Sequence, residues 1–190
     1  MTIKPDGNDF DAIHRLKSGD INGLAVLIAR YQGKAIRTAF LVTHDEAMAE
    51  DVVQDTFIHF YDRVRFFDAA RPFEPYFMRS VVNAALNAIR REARGKRFPF
   101  EDTSELEALL DMAASAAEQV EMQELNRRIL EALRKLPPRQ RAAIVQRYYL
   151  EMNEKEMADA LHAPAGTVKW LLNAARKRLR NLLDSERNLE

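Results

Sequence analysis

Gly166-Thr167-Val168-Lys169, followed by Arg176-Lys177-Arg178-Leu179-Arg180, reads as the opening and the basic tail of one helix. Just upstream, Asn153 to Leu161 supplies a short helical segment, and His162-Ala163-Pro164 a tight break. Asn153 and Glu156 have the spacing of a capping box, in which the first side chain accepts from a helical N–H and the acid reaches back. A short helix, a break and a basic second helix make a helix-turn-helix pattern, whose second helix enters a DNA groove. Five Lys or Arg and no acid lie from Lys169 to Arg180. Such a strip suits a phosphate backbone, where each neutralised phosphate releases a counterion. A solvated basic helix accounts for the same residues, so the rest of the chain has to discriminate.

The remaining sequence is helical in its periodicity, with only six glycines and no alternating strand pattern. Phe10 to Ser18 and Ile21 to Thr43 predict two helices parted near Gly19-Asp20. Glu46 to Arg65 predicts a third, in which Ala49, Val52, Val53, Thr56, Phe57, Phe60 and Val64 recur at the spacing of a buried stripe. A loop punctuated by Pro72 and Pro75 and rich in Phe66, Phe67, Phe73 and Tyr76 leads to a fourth, from Tyr76 to Arg94. Phe66 and Phe67 are expected to form a small core under that loop. After Gly95 the composition turns acidic and Ala-rich. The expected organisation is all-α: two small helical domains, 10–94 and 118–183, joined by a flexible acidic linker, 95–117. A disordered N-terminus, 1–9, and a tail, 184–190, flank them.

The chain of 190 residues has no cysteine, which excludes disulfides and thiolate metal sites. Its start is polar, and no apolar run approaches the roughly 20 residues of a membrane span. His14, His44, His59 and His162 are scattered, with no metal-ligand spacing, phosphate loop or nucleophile elbow around them. No metal, cofactor or catalytic residue is expected, and no enzymatic activity. The net charge of zero conceals segregated blocks. His44 to Asp62 carries six acids and no Lys or Arg, and Arg79 to Arg97 carries six bases and one acid. Such blocks point to several partners of different charge on one chain.

Two helical faces carry those charges. The fourth helix has a stripe of Ser80, Asn83, Asn87, Arg90, Arg91 and Arg94, opposite the apolar Met78, Val82, Ala85 and Ile89. Asparagine is a poor helix former, so two of them one turn apart on a polar stripe call for a role. Their amides both donate and accept, which suits base edges, and the arginines suit phosphates. Phe73 and Tyr76 beside this face add aromatics of the kind that hold unstacked bases. The third helix has a stripe of Asp51, Gln54, Asp55, Ile58 and Asp62, either a solvated face or a docking surface for a basic helix.

Glu50-Asp51-Val52-Val53-Gln54-Asp55-Thr56-Phe57, then Asn83, then Leu136-Pro137-Pro138-Arg139-Gln140-Arg141, then Gly166-Thr167-Val168-Lys169 resemble a bacterial RNA polymerase sigma factor of the extracytoplasmic-function group. The resemblance spans about residues 10–183. It implies an alternative sigma factor with a region 2 domain and a region 4 helix-turn-helix domain, acting in the cytoplasm. Its implied partners are core RNA polymerase, through the clamp coiled coil and the flap, and promoter DNA, single-stranded at −10 and duplex at −35. An anti-sigma factor is a further implied partner. By the resemblance, Asp51, Gln54 and Asp55 grip the clamp, and Phe73, Tyr76, Asn83, Asn87, Arg90, Arg91 and Arg94 bind the −10 strand. Thr167, Lys169, Trp170, Asn173, Arg176 and Lys177 meet the −35 element. The chain departs from the family where Trp170-Leu171 replaces a small polar residue and an arginine, and where His162 and Pro164 replace a glycine and a serine. Trp170 and Leu171 face either DNA or a protein. Other readings of the same residues are a stand-alone helix-turn-helix regulator, or an adaptor that binds polymerase without reading DNA.

Overall fold

The computed structural model describes residues 7–95 and 116–187. Its elements are α1 (Gly7–Lys17), α2 (Asn22–Thr43), α3 (Glu46–Arg63), α4 (Phe73–Gly95), α5 (Ala116–Arg134), α6 (Pro138–Ile144), α7 (Glu154–Leu161) and α8 (Ala165–Arg187). A 3-10 turn, Val64–Phe66, prolongs α3, and a π-helical turn, Val145–Tyr149, prolongs α6. There is no strand among the described residues. The all-α expectation therefore stands.

Local chemistry sets the helix ends. His44 takes a left-handed conformation, φ 55°, and its N–H donates to the Phe40 carbonyl at 2.7 Å, closing α2. Asp45 then caps α3, its Oδ1 accepting from the Met48 N–H at 2.8 Å. In the second half, Asn153 accepts from the Lys155 and Glu156 N–H groups while Glu156 accepts from the Asn153 N–H at 2.7 Å. The capping box read from sequence is thus complete. His162 occupies the left-handed turn, φ 46°, where glycine is the usual residue.

α2, α3 and α4 form the first bundle, with α1 laid across α2. Leu27, Ala35, Ala39 and Val42 of α2 meet Ala49, Val53 and Phe57 of α3 and Phe77, Val81 and Ala85 of α4 in the core. Gly23 permits the close approach of α1, because a Cβ there would lie 2.2 Å from the Ala12 carbonyl oxygen. Asp9 ties α1 down further, its carboxylate accepting from Arg30 and from the Tyr31 hydroxyl. Burial and the Asp9 carboxylate both push the Tyr31 phenol well above its ordinary range. These contacts explain why α1 starts at Gly7 rather than at Phe10.

α6, α7 and α8 form the second bundle, with α5 packed on α8. Met157, Leu161, Val168, Leu172 and Ala175 supply its core. The two bundles touch: α6 packs on α2 and α4, and α7 on α4. α8 runs on to Arg187, four residues into the expected separate tail from residue 184. The N-terminal residues 1–6 and most of the expected linker, residues 96–115, lie outside the described residues.

Two expectations about the aromatic loop are corrected. α4 begins at Phe73, because Pro75 falls in its first turn, where the missing N–H breaks no bond. Phe73 is consequently only 1% exposed, against Tyr31, Phe60 and Phe77, and is a core residue rather than a base-stacking one. Phe67 is buried beside Phe60 and Tyr76, as expected. Phe66, expected in the same core, is 88% exposed at the end of the 3-10 turn.

Candidate nucleic-acid interface

The buried side of α4 fixes its exposed side. Met78, Val82 and Ala85 are buried and Ile89 is half-buried, which leaves Asn87, Arg90, Arg91 and Arg94 in solvent. Asn83 and Ser80 are half-buried on the same strip. The Arg90 guanidinium lies 3.4 Å from the Asn87 Oδ1, a long contact that leaves both groups available. Tyr76 is 42% exposed and is the aromatic that this face presents once Phe73 is withdrawn.

A groove of about 720 Å³ runs between α3 and α4. Asp55, Asp62 and His59 line one side, and Tyr76, Asn87 and Arg90 the other. Asp51, Gln54 and Asp55 are exposed along α3, and none has an ion pair among the described residues. Asp55 and Asp62 of the acidic face and Asn87, Arg90, Arg91 and Arg94 of α4 therefore border one groove, while Asp51 and Gln54 lie beyond it on α3 and Asn83 lines a different cleft.

A second, smaller cleft of about 240 Å³ lies where α4 meets the second bundle. Asn83, Asn87 and Arg90 form one wall, with Arg139, Leu161 and His162 opposite. At the end of α2, near Arg141 and Arg134 of the second bundle, His44 is 8% exposed. Burial, and then the positive charges of Arg141 and Arg134, lower its pKa to about 3. Arg141 is itself buried, which lowers its guanidinium to about 10, and it donates to the Arg134 carbonyl oxygen. The His44 Nε2 and the Arg141 Nε are both buried without a hydrogen-bond partner among the described residues. Residues nearly a hundred positions apart carried no sequence signal of this contact.

On α8 the burial of Val168, Leu171, Leu172 and Ala175 turns Lys169, Trp170, Asn173, Arg176 and Lys177 outward. Leu171, 4% exposed, belongs to the core and faces neither DNA nor a partner, because it shares the apolar side with Val168 and Ala175. Trp170 is 63% exposed. Thr167 is half-buried at the start of the helix. Lys169 lies 3.8 Å from Glu154, an exposed pair worth little and easily released. Tyr148, which sequence reasoning missed, holds the third turn: its hydroxyl accepts from the Arg176 Nε at 2.8 Å, and the guanidinium lies 5.8 Å from the ring centroid. Tyr148 lies in the π-helical turn, which has no clear signature in sequence.

No group of three His, Asp or Glu side chains able to hold a metal occurs among the described residues. No helix there is long and apolar enough to cross a membrane.

The family described as Sigma-70 region 2 matches residues 27–95, and that described as Sigma-70, region 4 matches residues 126–179. The chain is 28% identical over 176 residues to the ECF RNA polymerase sigma factor SigW of Bacillus subtilis, covering 90% of this chain and 94% of that one. It is also 28% identical to the ECF RNA polymerase sigma-E factor of Escherichia coli, covering 89% and 91% of the two chains. Among solved structures, CnrH in complex with the cytosolic domain of CnrY matches with a TM-score of 0.63 at 26% identity, over 94% of this chain and 98% of that one. The sigma factor RpoE of Bartonella quintana, solved with the anti-sigma factor NepR, shares the fold with a TM-score of 0.61 at 18% identity, over 83% and 94%.

Proposed function

The chain belongs to the extracytoplasmic-function (ECF) group of RNA polymerase sigma factors, and we propose that it divides promoter reading between α4 and α8. It is an alternative sigma factor that binds core RNA polymerase and directs promoter recognition; sigma factors are initiation factors, and the polymerase performs the chemistry. Asp51, Gln54 and Asp55 dock the basic coiled coil of the clamp, and the second bundle meets the flap. Asn83, Asn87 and Tyr76 hold bases of the opened −10 strand, while Arg90, Arg91 and Arg94 follow its phosphates. Extracting a base costs a few kcal/mol of stacking, offset by a site that holds it. Thr167, Lys169, Trp170 and Asn173 meet the −35 duplex, and Arg176 and Lys177 its backbone. Residues 10–94 and 118–183 act as the two reading domains, with 95–117 as the acidic connection through the polymerase cleft.

The observation that carries this reading is the groove between α3 and α4, which sets Asp55 and Asp62 beside Asn87, Arg90, Arg91 and Arg94. One helix pair thereby brings the polymerase and the melted strand together. Run-off transcription with core enzyme, the full chain and a promoter library tests it. Specific initiation that depends on the chain is the expected result; absence of both initiation and core binding sinks the reading. CnrH is solved with the cytosolic domain of CnrY and RpoE with the anti-sigma factor NepR, and an anti-sigma factor is proposed as a partner of this chain too. The protein is proposed to act in the cytoplasm, with the polymerase.

A further inference from the structure

Trp170 stands at the centre of the outward strip of α8, with Lys169 beside it and Asn173 one turn on. It is 63% exposed, and its indole donates no hydrogen bond and stacks on no ring among the described residues. A single exposed apolar side chain is ordinary on a protein surface, so exposure alone decides nothing. Its position decides more. The first turns of the second helix in a helix-turn-helix meet base edges, and later turns meet phosphates. Thr167, Lys169, Trp170 and Asn173 occupy those first turns, and no arginine is among them. The nearest arginine, Arg176, is on the third turn and is held by the Tyr148 hydroxyl.

The chemistry of those four side chains selects bases. Arginine fitted to the guanine edge is the commonest specific contact in the major groove, and here Lys169 is the sole cation placed to make a related one. An asparagine amide matches adenine, and an apolar surface matches the C5-methyl of thymine, the one apolar feature a base pair shows in that groove. From this placement we infer that Trp170 is a specificity-determining residue of the −35 contact, its indole packing on a thymine methyl next to an adenine read by Asn173. Leu171 lends nothing to the contact, since it is buried in the bundle. The inference rests on α8 as the −35 reader.

The test uses core polymerase, the full chain and a duplex promoter library randomised upstream of the start. After selection by run-off transcription, each thymine of the recovered −35 element is replaced in turn by deoxyuridine, which lacks only the methyl group. With the natural chain, one position loses about three- to tenfold in initiation, the scale of one buried methyl contact. Trp170→Ala, at an exposed position, lowers initiation on the thymine template to a similar level and loses nothing further with deoxyuridine. Deoxyuridine tolerated at every position by the natural chain overturns the inference, as does equal sensitivity in Trp170→Ala; Trp170 then belongs to a protein contact. A selection showing initiation but no −35 preference fails at an earlier step, because α8 is then not a reader at all.

Discussion

α8 turns its strip fully outward, whereas α4 holds Asn83 half-buried against a cleft whose far wall is Arg139, Leu161 and His162 of the second bundle. The difference matches the two forms of DNA in the proposed function. A duplex reader can meet its target as it stands. A reader of opened strand is useful only once the polymerase has engaged, and in the closed arrangement its central amide is partly covered. The cover is the packing of α6 and α7 on α4, part of the same seam between bundles that buries His44 and Arg141. In the proposed function, α8 is thus a face already presented, whereas α4 carries an amide that the contact between bundles half-covers.

The largest expected effect removes the surface on which both faces depend. Asp55→Arg sets a cation on the unpaired acidic strip, where the proposed partner helix is basic. Like-charge juxtaposition at an interface costs several kcal/mol, so core affinity should fall roughly a hundredfold. Fluorescence anisotropy with labelled protein measures it, and unchanged affinity would remove α3 from the docking surface. Because Asp55 is exposed and unpaired, the melting temperature should not move.

Next in size is the response of the seam to acid. His44 is neutral when buried, with a pKa of about 3, against an ordinary value near 6.5 once released. Above that ordinary value both states are neutral and the group contributes no pH dependence. Below it the released state binds a proton that the packed state refuses, so stability falls as pH drops through the window from about 6.5 to about 3. By pH 5 the loss should be about 2 kcal/mol. Urea midpoints at pH 7 and pH 5 test this against His44→Asn, which keeps a residue tolerant of the left-handed turn but cannot titrate. Arg141 and Arg134, the charges that face His44, belong to the second half, so the acid response should come with separation of the bundles. A variant as acid-sensitive as the natural chain would break the link between His44 and the cover.

Asn83→Ala probes the covered face directly. Loss of one base-reading amide is worth about 1–3 kcal/mol, so promoter opening should fall about tenfold or more while core affinity stays the same. Permanganate footprinting of the −10 region separates the two readouts, and an equal loss of both would contradict the assignment of the face.

How much of this was legible in the sequence depends on the range of the interaction. The α7 capping box, the buried stripes of α3 and α4 and the outward face of α8 follow from spacings of three and four residues, which sequence displays directly. Phe73 was misplaced because an aromatic between prolines reads as loop, whereas Pro75 sits harmlessly in a first turn. Leu171 was ambiguous beside Trp170 until the register of Val168 and Ala175 assigned it to the core. The seam at His44 and Arg141, and the Tyr148 contact to Arg176, join segments far apart in the chain, and no local pattern encodes such a meeting.

Tyr148→Phe gives the smallest change and the finest distinction within the exposed face. It removes the hydroxyl that accepts from Arg176 at 2.8 Å and leaves the ring below the guanidinium. The bond is exposed, so its net worth is about 0.5 kcal/mol, and −35-dependent initiation should fall about twofold. The charge of Arg176 is retained, so the slope of affinity against salt should not change. Arg176→Ala should instead flatten that slope by about one phosphate contact, because a cation has been lost. If Tyr148→Phe flattened the slope as much as Arg176→Ala, then Tyr148 would be what brings Arg176 onto the phosphate at all. The third turn of α8 would in that case depend on the π-helical turn that presents the ring.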